Sequence, residues 1–359
     1  MLDFLSYTLY SFIVSKRLRK TQGRTGKMED KKLSMVDIAK LSGVSIATVS
    51  RIINKNGRYS KETEKRVLDV IEKSGYQLNL NAKSLRTNKS QTIGVIVPDI
   101  TNEFFAKIVR SIEKYIMPKG YTVIVCDSDE SESLENKHIS TLAAKGVDGI
   151  IHISTCADVR RIHDMVPIPV VYIDRRPKNA GSLVISDNET GGFLATEHLM
   201  KKGCRRILML RDKNSYSTVR HRCLGYVGAH EQYSLAVDRS LIVEAEVSYV
   251  SAKQAVLQKL QDDRTIDGIF CNNDNMALGA LHAALELGKR IPDDIKIVGF
   301  DDITITQICN PPLTTVRQDT DLFGKKSVEI LLKMMKEENK AFTDEVAVIP
   351  VSLVERSTT

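Results

Sequence analysis

Two groups of residues in this 359-residue chain have types and spacing suited to chemistry, and in both the chemistry is recognition rather than bond breaking. The first is the run SIATVSR at 45–51. If Ser45 caps a helix here, Val49, Ile52 and Ile53 form its inner face, while Ile46, Ala47, Thr48, Ser50 and Arg51 face outward. Small and hydrogen-bonding outward side chains suit a helix that lies in a DNA major groove and touches base edges. The second group is dispersed, each part just beyond a strand-like run: Asn102, Phe104 and Phe105 in PDITNEFFA, then Asp174 and Arg175, then Arg220 and Arg222 in STVRHRCLGY. Asn273 and Asp274 in NNDNMALG, Asp301 in GFDD and Gln318 in TTVRQD complete it. Carboxylates and amides accept from adjacent hydroxyls, guanidiniums donate to them, and aromatic rings cover weakly apolar C–H faces, so the set has the chemistry of a sugar site. Plainer readings stand beside this one: Phe104 as core, Asp274 as a helix cap, Asp174 and Arg175 as a surface ion pair.

Covalent catalysis has no comparable support. There is no G-x-S-x-G, P-loop, HExxH or paired-carboxylate arrangement, and the seven His are dispersed without metal-ligand spacing. Neither a metal nor a cofactor is expected. Six cysteines without a CxxC pair suggest buried thiols in a reducing cytoplasm rather than a disulfide framework.

The elements that must position these residues are legible. In SMVDIAKLSGVSIATVSRIIN, Ser34 and Asp37 have capping-box spacing, Val36, Ile38, Ala39 and Leu41 supply an inner face, and Gly43 ends the helix. The amphipathic run SKETEKRVLDVIEK at 60–73 predicts a third helix that closes a three-helix core. Residues 76–90 are polar and rich in Asn, Lys and Ser, which on composition alone is a flexible linker. From Gln91 onward strand-like runs (92–97, 121–127, 148–153, 169–174, 205–210, 267–273, 295–300) alternate with amphipathic helices such as 102–117, 188–201 and 275–287. This pattern predicts parallel sheets covered by helices on both faces. About 270 residues exceed one comfortable sheet, so two lobes are expected. Ligands in such folds bind beyond the carboxyl ends of the strands.

Charge divides the chain in the same place. The net charge is +7, but residues 1–90 carry 19 Lys and Arg against 8 Asp and Glu, while the remainder carries 33 against 37. A basic head on a mildly acidic body points to a polyanionic partner for the head alone. Residues 1–30 read as a non-native or disordered extension, with translation beginning at Met28. The apolar run MLDFLSYTLYSFIV is too short for a span of ~18 residues, and a membrane-tethering helix is the alternative reading.

Together, the helix–turn–helix, the third helix, the run GYQLNLNAKSLRTNKS and the α/β body resemble the lactose/galactose repressor (LacI/GalR) family of bacterial transcription regulators, from about Leu33 to the C-terminus. The resemblance implies an α/β protein with a three-helix DNA-binding head (31–78), a hinge (79–90) and a periplasmic-binding-protein-like effector domain (91–359). Its lobes would comprise about 91–189 with 319–346, and 190–318 with 347–359, crossing near 187–190, 315–319 and late in VIPVSLVERSTT. Ile46, Ala47, Ser50 and Arg51 would read bases, Thr48, Asn54 and Tyr59 would hold phosphates, and Ser45, the cap, would belong to the same DNA-binding set. Ala82 and Leu85 would occupy the hinge's apolar positions, Leu85 as a minor-groove wedge. Leu78 stands where the family usually has proline, a departure that implies a less rigid start to the hinge. The family works as a homodimer on a palindromic operator. The strand-end set is similar to that of ribose-binding proteins, which favours a small sugar effector over a purine. A catabolite-control regulator sensing a phosphorylated carrier protein is the alternative; an enzyme or transport receptor is opposed by the absent motifs and by the head.

Overall fold

A computed structural model describes residues 33–53, 55–76, 89–159, 167–336 and 344–359. The N-terminal extension, and the expectations placed on Asn54, Ala82 and Leu85, lie outside the described residues. The chain forms two compact units, 1–82 and 83–359.

In the first unit, α1 (Met35–Ser42), α2 (Ile46–Ile53) and α3 (Lys61–Ser74) enclose a small core of Ile38, Ala39, Val49, Ile52 and Val67. The start of α1 is a complete capping box: the Ser34 hydroxyl accepts from the Asp37 amide at 3.3 Å, and the Asp37 carboxylate accepts from the Ser34 amide at 2.8 Å. Gly43 ends it in the left-handed region at φ +65°. Val36 and Leu41, expected inside, are 43% and 61% exposed. An eight-residue helix against two partners buries one narrow stripe, here Ile38, Ala39 and Ser42, and the Ser42 hydroxyl is satisfied by the Ile38 carbonyl.

The second unit holds β1 (Thr92–Val97), α4 (Glu103–Ile116), β2 (Thr122–Asp127), α5 (Glu132–Ala144), β3 (Gly149–His152), β4 (Val170–Ile173) and β5 (Leu183–Ser186). It continues through α6 (Asn188–Lys201), β6 (Ile207–Asp212), α7 (Ser217–Gln232), β7 (Ile242–Ala245), α8 (Tyr249–Asp262), β8 (Gly268–Cys271), α9 (Asp274–Glu286) and β9 (Lys296–Asp301). Last come α10 (Ile305–Ile308), β10 (Thr314–Gln318), α11 (Thr320–Met334), β11 (Val346–Ile349) and β12 (Val351–Val354).

The strands form two six-stranded sheets, ordered β11-β5-β4-β3-β1-β2 and β12-β10-β9-β8-β6-β7. In the first, alternate residues face opposite cores: Val95 and Ile151 pack with α4 and α11, whereas Ile96 and Ile150 pack with α5. In the second, Met209 and Phe270 face α6 and α7, whereas Leu210 and Ile269 face α8 and α9. Strands buried on both faces read as continuous apolar runs, which is why TIGVIV and DGIIHI stand out in the sequence.

The chain passes between sheets at three points. β5 of the first sheet leads through Asp187 into α6 on the second; β10 of the second leads through Asp319 into α11 on the first. β11 of the first leads through Pro350 directly into β12 of the second. Ala347–Ile349 therefore pair with β5 in the first lobe, three residues beyond the expected boundary at 346. β12 is also antiparallel to β10, a departure from wholly parallel sheets. It enters the second sheet from the end where the other strands leave, and a parallel pairing would need a long crossover.

Candidate nucleic-acid face and effector cleft

On the head, Ser45, Ile46, Ala47 and Arg51 are exposed, and Thr48 and Ser50 half-buried. The Ser45 hydroxyl accepts from the Thr48 amide at 3.1 Å and pairs with the Thr48 hydroxyl at 2.9 Å, so the cap consumes part of both side chains. Tyr59 is half-buried against the core of the head, its ring anchored among apolar residues.

In the body, the carboxyl ends of the two sheets carry a connected polar cluster. Asp174 follows β4 with φ +63°, a conformation that suits glycine better than aspartate. Its carboxyl is buried, and Oδ1 has no hydrogen-bond partner among the described residues. Burial pushes its pKa up, against the opposing pull of Arg222 and Arg175. Arg175 donates two bonds to Glu130, at 2.9 and 2.7 Å, and its guanidinium lies 3.8 Å from the centre of the Tyr216 ring. Phe105 is 6.0 Å from the same guanidinium.

Arg222 projects from α7 and is buried. Its Nε donates to the Asn188 side chain at 2.8 Å, its Nη1 donates to the Asn272 carbonyl, and its plane lies 3.6 Å from the centre of the Phe300 ring. Asp301 is 3.8 Å from Nη1. The Gln318 amide donates to Asp301 at 2.6 Å and accepts, through its oxygen, from the Ser186 hydroxyl. A chain of hydrogen bonds and charge contacts thus runs from Ser186 at one crossing, through Gln318 at another, to Asp301, Arg222 and Asn188. Burial raises the Asp301 carboxyl to about 7, with Arg222 opposing the shift and Asp174 adding to it.

Helix packing holds this geometry. Gly192 on α6 and Gly225 on α7 let the helices approach backbone to backbone: a methyl group on Gly225 would lie 2.1 Å from the Glu189 carbonyl oxygen. Asp274 does its work beneath the cleft. It is fully buried, accepts from the Ile303 amide at 3.0 Å and from the Thr315 hydroxyl at 2.6 Å, and so pins the turn in which Asp301 and Asp302 have φ +116° and +56°.

Of the sequence-expected set, the structure therefore joins Phe105, Asp174, Arg175, Arg222, Asp301 and Gln318. The others are engaged elsewhere. The oxygen of Asn102 caps α4 by accepting from the Phe104 amide at 3.1 Å, and that of Asn273 caps α9 by accepting from the Met276 amide at 2.9 Å. Phe104 packs edge-on against Phe323 in the first lobe, Arg220 is exposed and donates to the Ser215 carbonyl, and Asp274 anchors the turn just described. Glu130, Asn188, Tyr216, Asn272 and Phe300 are cluster members that the sequence reading passes over. Asn272 stands at the end of β8, where a strand-end argument reaches it as readily as Asn273, and its Oδ1 is buried with no partner among the described residues. Glu130 stands in the acidic loop CDSDESES with no local sign of its distant partner.

Comparison with known proteins agrees with this architecture. Residues 34–79 match the model of bacterial regulatory proteins of the lacI family, and residues 196–359 match a periplasmic-binding-protein-like domain. The ribose operon repressor of Halalkalibacterium halodurans is 38% identical over 90% of this chain and 96% of its own length. The transcriptional repressor PurR of Aliivibrio fischeri is 33% identical over 84% of this chain and 92% of its own. Among solved structures, the Lac repressor dimer bound to operator and an anti-inducer superimposes with TM-score 0.82 at 28% identity, covering 92% of this chain and 99% of that one. A LacI-family regulator of Enterococcus faecium with bound ribose superimposes with TM-score 0.66 at 29% identity, covering 75% and 98%. With its capped three-helix head and its two parallel-rich lobes, the chain belongs to the LacI family of bacterial DNA-binding transcriptional regulators.

Proposed function

We propose that this regulator is a homodimeric cytoplasmic repressor of carbohydrate-utilisation genes whose affinity for a palindromic operator is set by a small neutral sugar, ribose-like in size, held between its lobes. The observation that carries the reading is the Asp174 carboxyl: buried, with an unsatisfied oxygen, and within the electrostatic reach of Arg175 and Arg222. A buried acceptor left unpaired costs about 1–3 kcal/mol. A ligand hydroxyl cancels that cost, and Asn272 Oδ1 offers a second such acceptor. The identity with a ribose operon repressor and the likeness to a ribose-bound regulator support the choice of ligand.

In the head, Ile46, Ala47, Ser50 and Arg51 read base edges, on a helix that Ser45 caps. Thr48, Asn54 and Tyr59 position the phosphates, and the hinge carries Ala82 and Leu85 toward the minor groove. Ile46 and Ala47 make methyl contacts rather than bidentate bonds, so DNA shape contributes to specificity. Sugar binding changes the relation of the lobes and, through a coupling of ~1–3 kcal/mol, alters operator affinity about 5–150-fold. Among the described residues no helix is long and apolar enough to cross a membrane.

Genomic footprinting with the purified chain, joined to thermal-shift screening of ribose, other sugars and purine bases, tests the reading. The expected result is a protected inverted repeat whose occupancy changes with a pentose. A response to purines alone overturns the choice of ligand, and the absence of any protected site overturns the whole.

A further inference from the structure

We propose that Glu130 makes the cleft selective for neutral ligands by serving as a built-in anion on Arg175, an inference that rests on the sugar reading of the cleft. The planar fork of a guanidinium captures carboxylates and phosphates through two parallel N–H bonds. At Arg175 that fork is taken by the chain itself. Glu130 Oε2 accepts from Nη1 at 2.9 Å and Oε1 from Nη2 at 2.7 Å, while Tyr216 stacks on the guanidinium at 3.8 Å and donates its hydroxyl to Oε2 at 2.9 Å. Glu130 belongs to the first lobe and Tyr216 to the second, so the same carboxylate ties the two lobes together.

The backbone is bent to deliver it. Asp129 and Glu130 both adopt left-handed conformations, at φ +48° and +52°, where side chains other than glycine are disfavoured. A phosphorylated or acidic ligand has to displace Glu130 before it can pair with Arg175, whereas a neutral polyol needs only hydroxyl contacts. Discrimination is built from repulsion as much as from attraction.

Titration calorimetry on the full chain with D-ribose and D-ribose 5-phosphate tests the inference. The wild-type chain should prefer ribose, and Glu130→Gln should narrow the preference by about tenfold or more, since like-charge juxtaposition costs several kcal/mol. A merely structural role would weaken both ligands alike and leave their ratio unchanged. That result, or tighter binding of the phosphate by the wild-type chain, overturns the inference. A second measurement needs no variant: the wild-type preference must narrow as ionic strength rises, because charge is screened and shape is not, and a constant preference also overturns it. If the wild-type chain binds neither compound, the sugar reading itself falls and this inference with it; ribose binding with an unaltered ratio in Glu130→Gln sinks the inference alone.

Discussion

Gly192 and Arg222 face each other across the α6–α7 contact so closely that a methyl group on Gly192 would lie 2.2 Å from the Arg222 carbonyl oxygen. The residue that supplies the buried guanidinium of the cleft is thus also the residue against which the neighbouring helix is seated. Helix packing and ligand geometry depend on one contact.

Gly192→Ala should therefore damage both. Overpacking of this kind costs about 1–3 kcal/mol or more when backbone must move. Urea unfolding should show the loss of stability, and calorimetry a weakened sugar. An unchanged affinity in a folded variant would show that Arg222 is held independently of the helix contact.

Arg222→Leu should abolish sugar binding while leaving the head folded and DNA-competent. Asn188 and the Asn272 carbonyl lose their shared donor, and Asp301 loses the guanidinium 3.8 Å away. Leaving a buried acceptor unpaired costs about 1–3 kcal/mol. Operator binding by the variant, insensitive to sugar, is the expected phenotype in gel-shift assays.

The Asp301 carboxyl, raised from its ordinary 3.8 to about 7 chiefly by burial, has a definite signature in pH. The folded state holds this proton more tightly than the unfolded state, so folding is not penalised below pH 3.8. The penalty grows as pH rises toward about 7 and is constant above that. Asp301→Asn should therefore stabilise the sugar-free protein at alkaline pH and have little effect in acid, while losing sugar affinity. Chemical denaturation on either side of the window checks the sign.

Glu135 behaves oppositely. Burial alone would raise its pKa, but His152 at 3.2 Å and the Thr155 amide and hydroxyl, both at 2.6 Å, lower it to about 2. Its contribution to stability is complete above the ordinary value of 4.5 and is lost as pH falls toward about 2. Glu135→Gln should destabilise the first lobe by ~3–5 kcal/mol at neutral pH, with the deficit shrinking in acid. A deficit that stays constant with pH would assign the loss to packing instead.

In the head, Arg51→Ala should weaken operator binding about 5–150-fold, the ~1–3 kcal/mol of a bidentate guanine contact, with sugar binding untouched. The loss should be greatest for operators with guanine at one position. A uniform loss across sequences would make Arg51 a phosphate contact.

Local interactions were legible from the outset because they span a few residues. The Ser34–Asp37 box, the Ser45 cap and the stop at Gly43 depend on neighbours three or four positions away, and the structure holds each of them. The buried strands could be read because exclusion of water from both faces demands unbroken apolar runs. Val36 and Leu41 were misassigned because periodicity reports amphipathic spacing but not how narrow a stripe two short partners cover.

The chain's own order of residues determined that a capped helix–turn–helix precedes an α/β body and that Asp174, Arg175, Asp301 and Gln318 stand at strand ends. Tertiary structure alone decided how the buried charges are partnered. Asn102 and Asn273 cap their own helices locally, but Asp274 sinks beneath the turn it anchors, Arg222 comes beside Asp301, and Glu130 reaches Arg175 across 45 residues. The physical reason is reach: a cap is settled by the next turn of helix, but a buried charge is settled by whichever partners the order of strands brings within three ångströms.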